Sequence, residues 1–190
     1  MRLILLGAPG AGKGTQAIRL AQVLKVPHIS TGELLREEIQ NSTPIGLQVT
    51  EYMNAGELAP DSIMINLLEN RLRDSGCQKG FILDGFPRTL SQAIYLKMLL
   101  ERLNTPIDAV VSIDVDSSLI IVRLTQRQRY DDTPQTIKHR LDIYHRETAP
   151  LKEYYQRAGM LRSIDGATAP EEVTRRILQE IQPGEFTDVS

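Results

Sequence analysis

The sequence predicts a three-layer α/β domain, a parallel five-stranded sheet with helices on both faces. Short apolar runs alternate with segments of helical periodicity, which favours parallel strands joined by crossover helices. The first run, Arg2-Leu3-Ile4-Leu5-Leu6, is apolar enough to be a strand buried on both faces. It leads at once into Gly7-Ala8-Pro9-Gly10-Ala11-Gly12-Lys13 and then an amphipathic helix. Strand, glycine-rich turn and helix is the setting in which G-x-x-x-x-G-K reads as a phosphate-binding loop. There glycines let backbone N–H groups approach a polyphosphate, the helix N-terminus adds partial positive charge, and a lysine reaches the terminal phosphates. Thr15 is the nearest hydroxyl for Mg²⁺, although Gly14 separates it from Lys13, where the simple motif has Ser or Thr directly after lysine. The bare alternative is a glycine-rich turn with an exposed lysine.

The remaining elements follow in order. The first helix is predicted from about Lys13 to Leu24, with Ala17, Ile18, Leu20, Ala21 and Leu24 as its apolar stripe. Pro27-His28-Ile29 is a short second strand, with His28 read as a strand-end residue rather than a ligand. Ser30 and Glu33 stand at capping-box spacing, compatible with a binding role for Thr31 between them. Helices are then predicted over 34–40, 45–54 and 61–73, broken at 41–44 and 55–60. They form a helical insertion where the next strand would otherwise come, at the carboxyl end of the sheet, where α/β proteins place substrate-specific parts. Gly80-Phe81-Ile82-Leu83-Asp84 is a buried strand ending in a carboxylate well placed to hold Mg²⁺ through water. A helix over 90–102, a strand over 109–114, a helix over 117–126, a loop around 130–134, a helix over 135–148, a helical piece to about 158, a strand over 161–165 and a helix over 170–181 complete the chain. A loose tail is expected from 182.

At 190 residues, one domain with two mobile appendages is the best count. A net charge of −2 speaks against nucleic-acid or anionic-membrane binding by bulk electrostatics. The opening apolar run is too short for a signal segment, and no stretch is long enough to cross a bilayer, so a cytoplasmic location is expected. The single cysteine, Cys77, excludes an internal disulfide and a cysteine-based zinc site.

Arginines narrow the chemistry. Arg36, Arg88, Arg123, Arg127, Arg129 and Arg140 cluster near turns and loops. Planar guanidinium groups suit the gathering of several phosphates, because each grips two oxygens and stays charged. Such residues are also common on solvated helix faces.

Four segments carry a resemblance: GAPGAGKGT at Gly7–Thr15, STGELLR at Ser30–Arg36, FILDGFPRTLSQ at Phe81–Gln92 and RYDD at Arg129–Asp132. With them the chain resembles the adenylate kinases of the nucleoside monophosphate kinase family, in the short-lid form. The resemblance implies a phosphate-loop kinase domain with core 1–29, 60–125 and 137–190, a nucleoside monophosphate-binding insertion over 30–59, and a lid over 126–136. It implies reversible transfer of the ATP terminal phosphate to AMP, giving two ADP, with Mg²⁺, in adenine nucleotide homeostasis. Gly10, Ala11, Gly12, Lys13, Gly14, Thr15, Arg127 and Thr168 are then expected on ATP. Thr31, Arg36, Glu57, Leu58, Ala59, Gly85, Phe86, Pro87, Arg88, Gln92, Arg129 and Arg140 are expected on AMP. Lys13, Arg88, Arg123, Arg129 and Arg140 are expected around the transferred phosphate, and Asp84 on Mg²⁺ through water, with Thr15 as a further metal contact. The short lid carries no cysteine, so no zinc is expected. A monomer is the family's habit, and neither nucleic acid nor membrane is an expected partner. Rival assignments are a pyrimidine or broader nucleoside monophosphate kinase, for which Thr31 and Gln92 are the discriminating positions, and a nucleotide sensor without turnover.

Overall fold

The computed structural model describes residues 1–127 and 132–182. Five strands, β1 (Arg2–Leu6), β2 (His28–Ser30), β3 (Phe81–Asp84), β4 (Ala109–Asp114) and β5 (Leu161–Asp165), form one parallel sheet in the order β2-β3-β1-β4-β5. Successive side chains of a strand point to opposite faces, so β1 feeds two cores. Leu3 and Leu5, with Ile82, Val111, Ile113 and Ile164, pack on one face. Covering them are Ala17 and Leu20 of α1 (Lys13–Leu24) and Val173, Ile177 and Leu178 of α9 (Pro170–Ile181). Ile4 and Leu6, with Ile29, Leu83 and Val110, face the other way. Helices α2 (Thr31–Gln40), α3 (Pro44–Ala55), α4 (Asp61–Leu72), α5 (Leu90–Arg102) and α8 (Leu151–Arg157) supply Leu35, Val49, Leu68, Leu96 and Leu151 on that side. Leu68, wholly buried, contributes about 1.5–3 kcal/mol by removal from water. These are the three layers that the alternating pattern implies.

The helical segment between β2 and β3 starts where Ser30 accepts a hydrogen bond from the Glu33 N–H at 3.4 Å, so α2 begins three residues before the apolar stripe alone suggests. Thr43 caps α3 and Pro44 sits at its first turn. Where α3 crosses α2 the backbones nearly touch: a Cβ on Gly46 would lie 2.1 Å from the Glu38 carbonyl oxygen. Beyond β4, α6 (Ser117–Arg127) and α7 (Pro134–Ile143) flank the short connection. Ile120, Leu124 and Ile137 pack with Ala8 of the glycine loop.

One element differs from the expected helix over 135–148. The α-helix ends at Ile143 and a π-helical turn, Tyr144–Thr148, follows, with the Ala149 N–H reaching the Tyr144 carbonyl at 2.8 Å. Pro150 lacks an N–H and its ring crowds the carbonyl four residues back, so the preceding turn widens.

Candidate active site

The carboxyl ends of β1, β2 and β3 open on one cavity of about 600 Å³, a ligand-sized cleft. Gly10, Ala11, Gly12, Lys13, Gly14 and Thr15 line one side. The loop depends on glycine at two positions. At Gly10 (φ +83°) a Cβ would press to 2.8 Å of Leu124 Cγ, and Gly12, the N-cap of α1, holds φ +99° with open space beside it. Lys13 begins α1 and folds its ammonium back over the loop, donating to the Gly7 and Ala8 carbonyls at 2.8 and 3.0 Å.

Asp84 ends β3, in register with Leu5 of β1 and Ser30 of β2, so the sheet itself sets its carboxylate beside the loop. A Cβ on Gly14 would stand 3.4 Å from Asp84 Oδ2. His28 Nε2 lies 3.6 Å from the same oxygen, an ion-pair distance too long for a hydrogen bond. Burial alone would raise the Asp84 carboxyl. The adjacent His28 ring, Lys13 and Arg88 outweigh it and hold the group below its ordinary value.

Arg88 follows the turn Gly85-Phe86-Pro87, whose Phe86–Pro87 peptide is cis. Its Nε donates to the Gly85 carbonyl at 2.7 Å, its backbone N–H to Gln92 Oε1 at 2.7 Å, and its carbonyl accepts from Thr148 Oγ1 at 2.8 Å. The last contact comes from the widened π turn. Burial pulls the Arg88 guanidinium below its usual value; Asp84 opposes this, while repulsion from Arg140 and Arg36 adds to it. The group stays charged at neutral pH, because arginine starts so high. Arg140 donates to Asp132 Oδ1 at 2.9 Å and reaches across to the Met53 carbonyl at 3.3 Å. Gly56, the left-handed C-cap of α3, leaves room for it, since a Cβ there would meet Arg140 Cγ at 3.2 Å. Next to it His139 Nε2 and Glu57 Oε1 are 2.6 Å apart, a second tie between α7 and the insertion. Arg123 of α6 donates to the Gly166 carbonyl at 3.0 Å and the Ala11 carbonyl at 3.5 Å, which places it against the glycine loop.

Of the other residues expected at the site, Arg36, Glu57, Leu58, Gly85, Pro87 and Thr168 line this cavity. The Thr168 hydroxyl is buried without a hydrogen-bond partner among the described residues, so a ligand atom there would satisfy it. Thr31, Ala59, Phe86 and Gln92 are buried behind the lining. Thr31 Oγ1 donates to the Asp84 carbonyl at 3.4 Å. Gln92 sets its Oε1 on the Arg88 N–H and its Nε2 2.6 Å from Asp61 Oδ1. Arg129 and the Arg127 side chain lie outside the described residues, as do lid residues 128–131. Sequence reasoning gave no site role to Asp61, Asp132 or Thr148 and read His28 as a strand-end residue. His28 becomes visible only once β2 is known to pair with β3, and Asp61 reads in sequence merely as a helix start after Pro60.

Among the described residues no group of three or more His, Cys, Asp or Glu side chains could hold a metal ion. Asp84 supplies a carboxylate beside the glycine loop. That donor set fits Mg²⁺, which keeps most of its waters and takes one or two carboxylates plus phosphate oxygens.

A glycine loop opening the helix after a central parallel strand, a carboxylate on the adjoining strand and a cluster of guanidinium groups opposite define the class: a phosphate-loop nucleotide kinase. The adenylate kinase family model matches residues 5–160. An adenylate kinase of Cyanothece sp. (strain PCC 7425) is 48% identical over 180 residues, covering 93% of this chain and 92% of that protein. Another, of Xylella fastidiosa (strain 9a5c), is 47% identical over 182 residues, covering 94% and 97%. A third, of Xanthomonas campestris pv. campestris (strain 8004), is 45% identical over 185 residues, covering 95% and 99%. The chain belongs to the adenylate kinase family.

Proposed function

We propose that this chain transfers the terminal phosphate of ATP reversibly to AMP, giving two ADP, and so serves adenine nucleotide homeostasis. As a member of its family it is a phosphotransferase acting on nucleotides. The observation that carries the reading is one cavity lined by both a phosphate-binding loop and a cluster of Arg36, Arg88 and Arg140. Two polyanions meeting end to end need such a second cationic cluster, whereas a sensor of one nucleotide needs only the loop.

The glycine loop, Lys13, Arg123 and Thr168 are assigned to ATP, with Arg127 beside them. Arg36, residues Glu57–Ala59, the Gly85–Arg88 turn and Arg140 are assigned to AMP, with Arg129 beside them. Thr31 and Gln92 are assigned to the AMP base from directly behind the lining. Lys13 exchanges its loop carbonyls for phosphate oxygens, and Arg88 holds the incoming phosphate in line, aligned by its anchor on Gly85. Asp84, kept ionised by its neighbours, and Thr15 would hold Mg²⁺, Asp84 through water. That ion supplies charge neutralisation on the phosphates when bound. The insertion over 30–59 and the lid over 126–136 exclude water by closing, the motion for which adenylate kinase is itself a standard example. No helix among the described residues is long and apolar enough to cross a membrane, and we assign a cytoplasmic monomer without nucleic-acid or membrane partners.

Incubation with ADP and Mg²⁺, followed by separation of nucleotides, tests the reading. Equal amounts of ATP and AMP are expected without free phosphate. Binding without turnover, or release of phosphate, would overturn it. With ATP as donor, AMP should outpace UMP and CMP, and a pyrimidine preference would move the assignment to the sister kinases.

A further inference from the structure

A carboxamide selects a base edge only if its oxygen and nitrogen are told apart, because the two ends have nearly the same shape and opposite hydrogen-bonding character. Gln92 is buried to 2% exposure, and its two ends have different partners. Its Oε1 accepts from the Arg88 backbone N–H at 2.7 Å, and its Nε2 donates to Asp61 Oδ1 at 2.6 Å. The flipped amide would set NH₂ against an N–H and oxygen against a carboxylate, two repulsive contacts. One N–H and one lone pair of Gln92 remain. Asp61 is itself fixed by Ser91 Oγ, which donates to its second oxygen at 2.7 Å, and by its place as the first residue of α4, where the chain returns from the insertion.

We propose that Asp61 is a specificity-determining positioning residue: by fixing the amide orientation of Gln92 it sets which donor and acceptor face the acceptor nucleotide's base. The inference rests on the proposed assignment of Gln92 to that base. Asp61 touches no substrate and acts through Gln92 alone.

The test is a steady-state acceptor series with AMP and CMP at saturating ATP, on the full chain, for the wild type, Asp61→Ala, Asp61→Asn, Gln92→Ala and the Asp61→Ala/Gln92→Ala double variant. Losing one such hydrogen bond should raise the AMP KM in Asp61→Ala about tenfold and narrow the preference for AMP over CMP by a similar factor, while the ATP KM holds. Asp61→Asn, whose carbonyl oxygen still accepts from Gln92, should restore most of the preference. The double variant should match Gln92→Ala. If Asp61→Ala does not fold, Asp61→Ser, whose hydroxyl falls short of Gln92, takes its place. An unchanged AMP preference in Asp61→Ala beside a lost one in Gln92→Ala would overturn the role of Asp61 alone. Equal rises in the AMP and ATP KM without rescue by Asn would reduce it to scaffold. An intact preference in Gln92→Ala would overturn the base assignment and the inference together, whereas absence of wild-type turnover would strike only at the proposed reaction.

Discussion

Replacing Arg88 with alanine should separate activity from stability. Among the described residues the guanidinium makes one side-chain hydrogen bond, to the Gly85 carbonyl at 2.7 Å, worth about 1 kcal/mol. Against that loss, the substitution removes a buried cation repelled by Arg140 and Arg36, although Asp84 loses an attractive neighbour. The opposing changes leave folding stability within about 1 kcal/mol, or roughly 2–4 °C in Tm for a chain of this size. The transferring phosphate has no such compensation. A pre-aligned donor on developing charge is worth about 3–4 kcal/mol, so kcat/KM should fall by about 10²–10³. Arg88→Lys keeps the charge but loses both the fork and the Gly85 anchor, and should recover only part of the rate. A coupled ADP assay and a thermal melt on the same preparations decide the matter. Near-normal turnover in Arg88→Ala would refute the clamp, and a Tm drop of ten degrees or more (about 2.5 kcal/mol or above by the same conversion) would show the lost rate to be lost fold.

Gly85→Ala should strain a left-handed residue (φ +85°) and drive a methyl to 2.8 Å from Thr31 Oγ1 and 3.1 Å from Arg88 Nη2, costing about 1–3 kcal/mol and lowering kcat as Arg88 shifts; an unchanged rate would refute the tightness of that turn. Gly46→Ala, which in an open helix would add stability, should instead lower Tm by an amount equivalent to about 1–3 kcal/mol, because its methyl meets the Glu38 carbonyl, and it should raise the AMP KM more than the ATP KM; a stabilised variant would sink this. Alkaline pH should destabilise the chain. Burial, with Asp114 adding, pushes the Tyr144 phenol up to about 12, and burial also raises Tyr155 and Cys77. The folded chain therefore keeps protons that the unfolded chain releases near about pH 8.5 for the thiol and about 10 for phenols. Stability is full below those values and lost as pH climbs toward the folded ones, so Tm should slope downward from about pH 8.5 to 11 and flatten in Tyr155→Phe; a level wild-type profile would contradict it.

The fold was legible because its signals are local. Apolar runs at 2–6, 81–83 and 109–113 are too short and continuous for helices, and Pro, Gly and capping residues mark most helix ends within three residues of where they fall. The glycine loop was legible for the same reason, since motif and backbone are one stretch of chain. Contacts that depend on strand order were not. His28 meets Asp84 only because β2 lies beside β3, more than fifty residues apart in sequence. Asp61 meets Gln92 because two helices lie together, and neither residue's spacing hints at the other. The widened turn at Tyr144–Thr148 also escaped a periodicity reading, which registers where a helix stops and not how its last turn loosens.

The placement of β3 against β1 has a further consequence. Lys13 follows one of these strands, Asp84 ends the other and Arg88 comes after it, so neighbouring backbone ladders hold the proposed transfer machinery at a common edge. Arg36, Glu57 and Leu58 belong instead to a detour hung from that edge at Ser30 and Pro60. Under the proposed assignments the grip on the acceptor is therefore split: the detour could be exchanged between kinases while Gln92 and Asp61, which lie outside it, kept the base preference.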